Sequence, residues 1–163
     1  MNNIQRNRTF LTEFIIVILF FSIASVIIVN LYVKANDKSE ASYNLTKASI
    51  LCENLATELN NISYDYDNPI ISTLGDASPE QVLLENGFEK IGRGKYTSNY
   101  DEKFELVYSE SAFLVTLTTS VDDSYEHSKI VSYHILVSEI DGRSVVYELD
   151  TTKIVLEGDG YEE

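Results

Sequence analysis

The chain has 163 residues with 12 basic and 26 acidic side chains, which gives a formal net charge of −14. So acidic a protein repels nucleic-acid phosphates, and we expect no nucleic-acid partner. One cysteine and two histidines exclude an intrachain disulfide and a thiolate metal cluster, so the sequence predicts no cofactor, no metal site and no enzyme.

The first predicted element is a membrane-spanning helix at residues 9–33, which follows a short basic leader at residues 1–8. About 20 apolar residues cross a bilayer as a helix, and the apolar segment 10–33 has that length. Arg6 and Arg8 precede it without an acidic residue, so we expect a cytoplasmic N-terminus and an extracellular C-terminal domain. The alternative is a cleaved signal peptide, whose apolar core is usually shorter.

One charged residue, Glu13, lies inside this apolar segment. A charged side chain costs about 2.5–3.5 kcal/mol at the centre of a bilayer and less near its surface. Two interpretations follow. Either Glu13 lies near the headgroups and extends toward water, or it pairs with a cation of a neighbouring subunit.

Residues 8–19, RTFLTEFIIVIL, resemble the N-terminus of type IV pilin-like proteins, the minor pilins and pseudopilins. In that family a membrane peptidase removes a short basic leader, and a glutamate occupies the fifth mature position. The resemblance makes Arg8 and Thr9 the processing boundary and assigns Glu13 to subunit assembly. The family usually has glycine where this chain has Arg8. If the leader is retained, Glu13 would pair with Arg6 or Arg8 of a neighbour.

The resemblance implies an α+β fold in which a long N-terminal helix packs on a small antiparallel sheet. It also implies a membrane-anchored structural subunit of a type IV pilus-like or type II secretion-like assembly, similar to the tight-adherence type of Gram-positive bacteria. The expected partners are the membrane, other pilin-like subunits and a prepilin peptidase. The alternatives are a single-pass envelope scaffold and an extracellular ligand-binding or sensor domain on a membrane anchor.

The helix is predicted to continue outside the membrane over residues 34–62, because no glycine or proline occurs between Lys34 and Pro69. Apolar residues recur there at spacings of three and four and define a helix packing seam: Leu45, Ala48, Cys52, Leu55 and Leu59. The seam packs either on the chain's own sheet or on the same helix of a second subunit. The seam covers fewer than four heptads, which is short for an independent coiled coil, and the apolar face of the sheet needs a cover. Packing on the chain's own sheet is therefore favoured.

Residues 63–156 are predicted to form a small α+β domain, followed by an acidic tail at 157–163. Ser78 and Pro79 are typical of a helix start, and Gly87 of its end. Alternating apolar residues predict an antiparallel meander with one buried face. The predicted strands are 88–91, 95–98, 103–108, 113–121, 130–138, 144–149 and 153–156. His134 falls on the solvent face and is interpreted as a surface histidine.

Overall fold

The computed structural model describes residues 3–62, 78–142 and 144–157, with the backbone alone for residues 3–8. The described residues have an α+β fold that combines one long helix, one short helix and a five-stranded antiparallel sheet. The elements are α1 (Asn3–Asn61), α2 (Pro79–Glu85), β1 (Glu89–Gly92), β2 (Lys95–Tyr100), β3 (Phe113–Tyr125), β4 (Ser128–Glu139) and β5 (Val145–Leu156). Residues 63–77, the tail at 158–163 and the side chains of Arg6 and Arg8 lie outside the described part.

The helix α1 is a single element of 59 residues. It contains no glycine and no proline, the two residues that most readily interrupt a helix. The chain falls into two compact units, Met1–Tyr43 and Asn44–Glu163.

The short helix α2 is defined by local signals at both ends. The Ser78 hydroxyl accepts a hydrogen bond from the Gln81 amide at 3.0 Å, and Pro79 occupies the first turn. At the other end Gly87 adopts a φ of 77°, and the Phe88 amide donates to the Leu83 carbonyl at 2.9 Å. The chain therefore leaves α2 directly into β1.

The sheet is a meander in which the strands follow one another in chain order, each antiparallel to its neighbour. One face of the sheet is apolar and forms the core of the second unit. Its buried members on β2, β3 and β4 include Tyr96, Val115, Leu117, Tyr133 and Ile135. Residues of α1 belong to the same buried cluster, so the distal part of this helix covers the apolar face.

The prediction of a strand at residues 103–108 is wrong. The Asp101 carboxylate accepts hydrogen bonds from the amides of Lys103 and Glu105, both at 2.9 Å, and this holds the backbone in a turn. Phe104 has a φ of 63°, which no strand residue adopts. Only a single bridge between Tyr100 and Leu106 remains of the expected pairing.

The two strands predicted at 144–149 and 153–156 are one continuous strand, β5, and it contains a bulge. Ser138 pairs with Val145, whereas Val137 pairs with Tyr147, so Val146 is an extra residue. The bulge shifts the pairing by one residue and turns Tyr147 toward the core. Without the bulge, the residues of β5 that now face away from the core, which include Glu148, would face the core instead.

Candidate assembly site

The proximal part of α1 presents an apolar surface that the described residues leave exposed. Every large apolar side chain between residues 10 and 33 is at least 49 % exposed within the described chain. One segment of this helix is long and apolar enough to cross a membrane. Since water disfavours so large an apolar surface, it requires lipid or another protein as its cover.

Two serines inside this segment satisfy their hydroxyl groups within the helix. Ser22 Oγ donates to the Ile18 carbonyl at 2.9 Å, and Ser25 Oγ donates to the Phe21 carbonyl at 2.8 Å. Such bonds to the preceding turn remove most of the penalty for a hydroxyl in lipid. These serines are therefore compatible with a membrane span and do not call for a partner.

Glu13 differs from the serines because it carries a charge. No ion pair includes Glu13 among the described side chains, which do not extend to those of residues 1–8. Residues 14–33 form 20 helical positions, about 30 Å long, which is enough for the hydrocarbon core. Glu13 thus lies at the edge of the shortest segment that can cross the hydrocarbon core. From this position its side chain can either reach the headgroups or pair with a neighbouring subunit.

The two residues of the predicted processing boundary, Arg8 and Thr9, lie within α1. Thr9 precedes Glu13 by four residues, or about 6 Å along the axis, so both lie on the same side of the helix. Phe10 and Phe14 stack next to them, with ring centroids 6.4 Å apart. The backbone of Arg8 is helical, and its side chain lies outside the described part.

The packing seam of α1 lies in the second unit. Ala48, Cys52 and Leu59 are fully buried and Leu55 is 4 % exposed, and all four belong to the core cluster that includes the sheet. Leu45 is 48 % exposed and does not belong to this core cluster, so its place in the seam stays a prediction. It lies about 4.5 Å along the helix before Ala48 and beyond the part of α1 that the sheet covers.

The C-terminal end of α1 is tied to β5 by polar contacts. Lys153 Nζ donates to the carbonyls of Asn60 and Ile62, both at 2.6 Å. A cation at this position satisfies carbonyls that the helix leaves unpaired and interacts favourably with the helix dipole. Asn60 Nδ2 also donates to Thr151 Oγ1 at 3.1 Å. These bonds fix the helix end against the sheet.

The single cysteine belongs to this packed surface. Burial, with a smaller contribution from the neighbouring charge of Glu53, raises the pKa of Cys52 to about 12. Because the thiolate is the reactive form, this cysteine is inert at neutral pH. The structure therefore places Cys52 as a packing residue rather than an exposed thiol.

A second group of chemically active side chains, which we call the outer-face cluster, consists of His134, Glu148 and Asp150. The sequence places His134 on the solvent face but does not indicate its partners. A two-residue turn at Asp141-Gly142 alone would pair His134 with Leu149, and the bulge in β5 pairs it with Asp150 instead. In the sequence, Tyr147 and Leu149 alternate with the acidic residues Glu148 and Asp150. The two apolar residues face the core only if the bulge is present, so this alternation is the sequence signal that predicts it.

Comparison with known proteins adds no assignment, because the chain matches no protein-family model, no curated protein and no solved structure.

Proposed function

We propose that this protein is a membrane-anchored structural subunit, a minor pilin or pseudopilin, of a type IV pilus-like or type II secretion-like assembly. One observation carries the proposal. Glu13 lies at the start of an exposed apolar helix that continues without interruption into a segment packed on an antiparallel sheet. A bundle of such helices would cover their apolar surfaces and leave the sheet-bearing units outside the membrane.

The role of Glu13 follows from the cost of its charge in lipid. A carboxylate in a medium of low dielectric constant is tolerated when a cation lies next to it. In a bundle of parallel helices that cation would come from a neighbouring subunit. If the leader is removed, it is the new amine at Thr9, and if the leader is retained, it is Arg6 or Arg8.

The proposed orientation places the N-terminus in the cytoplasm and the acidic domain outside the cell. The basic residues Arg6 and Arg8 precede the apolar segment, and positive charge is retained on the cytoplasmic side. The net charge of −14 is consistent with this, because the cytoplasmic leaflet is itself negative.

A single-pass envelope scaffold is the second candidate, and Arg8 favours it. Where the pilin-like family usually has glycine, arginine would leave the leader in place. In a scaffold Glu13 would lie near the headgroups, extend toward water and need no neighbour.

Mass spectrometry of the N-terminus of protein isolated from its native membrane tests the pilin-like assignment in its processed form. That form predicts a chain that begins at Thr9. A chain that retains residues 1–8 would favour the scaffold, and a chain that begins near Asn36 would mean an ordinary signal peptide. A variant with glycine in place of Arg8, Arg8→Gly, serves as the control, because it supplies the residue usual at the cleavage site.

A further inference from the structure

The outer-face cluster brings three metal-ligating side chains together on the face of the sheet opposite the core. His134 on β4 lies directly opposite Asp150 on β5, and their Nδ1 and Oδ1 atoms are 2.8 Å apart. The same Nδ1 atom lies 3.7 Å from Glu148 Oε1. The three donor atoms all lie within 4.8 Å of one another, so they enclose a space that a single ion can fill.

The acidic neighbours of the other histidine, His127, do not converge on one ring nitrogen. His127 also has two acidic neighbours, but Glu157 lies next to its Nδ1 and Glu126 lies 3.9 Å from its Nε2. The two ring nitrogens point to opposite sides of the imidazole, so one ion cannot bind both of these carboxylates and the ring. In the outer-face cluster both carboxylates approach the same nitrogen.

The strands hold the cluster in place. β4 and β5 pair along nearly their whole length, from Ser128 opposite Leu156 to Ser138 opposite Val145. Glu148 and Asp150 are two residues apart and therefore point to the same face of the sheet. Side chains on paired strands are a more precise support for a metal than side chains on a loop.

The cluster also borders a depression that leaves room for further ligands and is lined in part by hydroxyl-bearing side chains. The depression has a volume of about 260 Å³, and six of the residues that line it are Thr118, Ser120, Ser132, His134, Asp150 and Thr152. Thr118 is the register partner of His134 on β3. Water molecules and these hydroxyl groups can complete a coordination shell that begins with three protein ligands.

We propose that His134, Glu148 and Asp150 form a binding site for a divalent transition metal, with Zn²⁺ as the best match. One imidazole and two carboxylates suit such an ion, whereas calcium and magnesium prefer oxygen ligands alone. Ligand bonds of about 2.0–2.1 Å place tetrahedral ligand atoms about 3.3 Å apart. The two separations from His134 Nδ1, 2.8 and 3.7 Å, bracket that value, and the third pair of donor atoms lies within 4.8 Å.

The test is a calorimetric titration of Zn²⁺ into the full chain in mild detergent, after chelator treatment and with a purification tag that contains no histidine. We expect one Zn²⁺ per chain. His134→Ala and Asp150→Asn should each weaken binding at least about tenfold, while His127→Ala, which also removes one histidine, should leave it unchanged. Thermal unfolding followed by circular dichroism verifies that each variant is folded.

The proposal would be overturned by the absence of stoichiometric Zn²⁺ binding, by equal weakening in His127→Ala and His134→Ala, or by displacement of Zn²⁺ by excess Ca²⁺. The last two would mean diffuse attraction of cations to an acidic surface. Retention of full affinity in a folded Asp150→Asn variant would also exclude Asp150 as a ligand and contradict the site. The outcome is independent of Glu13 and of assembly, so it leaves the proposed function untouched.

Discussion

The packing of α1 on its own sheet is open to a direct test by two matched leucine substitutions. Leu59 is fully buried in the core cluster that includes Ile135, whereas Leu45 on the same helix is 48 % exposed. Leu59→Ala and Leu45→Ala remove the same atoms and change helix propensity equally. They differ only in whether the side chain contacts the sheet, so the difference between them isolates that contact.

The expected magnitudes follow from burial. Truncation of a fully buried leucine to alanine costs about 2–5 kcal/mol of unfolding free energy, because transfer energy is lost and a cavity remains. The same change at the half-exposed Leu45 should cost less than about 1 kcal/mol. A domain of this size is typically stable by about 5–15 kcal/mol. Leu59→Ala should therefore remove a large fraction of the stability of the second unit.

The assay is urea unfolding of the full chain in mild detergent, followed by near-ultraviolet circular dichroism of tyrosine. The buried rings of Tyr96 and Tyr133 report on the packed sheet, and the chain contains no tryptophan. We expect the midpoint to fall strongly for Leu59→Ala and slightly for Leu45→Ala, with no dependence on protein concentration.

Equal losses for the two variants would contradict packing of α1 on the sheet, above all if the midpoints rose with protein concentration. That pattern would mean that Leu45 and Leu59 lie in one continuous helix–helix interface between subunits. The seam would then belong to a coiled coil, and the sheet would need another cover.

Two further predictions concern titration and turn geometry. Burial raises the pKa of Cys52 from 9.0 to about 12, so the folded chain keeps a proton that the unfolded chain releases. The contribution of Cys52 to the free energy of unfolding should be constant below about pH 9 and fall by about 1.4 kcal/mol per pH unit up to about pH 12. Cys52→Ala should remove this part of the slope in urea titrations at different pH values. Gly94 and Gly142 have similar φ values of 64° and 68°, but a Cβ at Gly94 would lie 2.6 Å from Thr119 Oγ1, whereas no described atom lies within 4 Å of one at Gly142. Gly142→Ala should cost about 1–2 kcal/mol and Gly94→Ala clearly more in thermal unfolding, and equal losses would contradict the tight contact.

Local signals were sufficient to predict the helices and most of the sheet. The absence of glycine and proline predicts α1, and Ser78 and Gly87 predict the ends of α2, because each acts within one or two turns of chain. Alternation predicts the buried face of β3 and β4, since both are long strands with one side in the core.

The remaining features depend on contacts that the sequence pattern does not display. Residues 103–108 alternate like a strand, but the side chain of Asp101 competes for their backbone amides. The outer-face cluster depends on one extra residue, Val146, which sets whether Asp150 faces His134 or the core. The exposure of Leu45 reflects where the sheet ends, and helical spacing alone carries no such information.

The central proposal is that Glu13 joins subunits inside the membrane, and the size of the complex in mild detergent tests it most directly. Protein from native membranes should migrate as an assembly, and Glu13→Ala should reduce it to monomers without preventing membrane insertion. Ser22→Ala also replaces a polar residue of the span, but its hydroxyl bonds within the helix, so this variant should assemble normally. A wild-type chain that is strictly monomeric, or a Glu13→Ala variant that assembles as well as Ser22→Ala, would contradict the account.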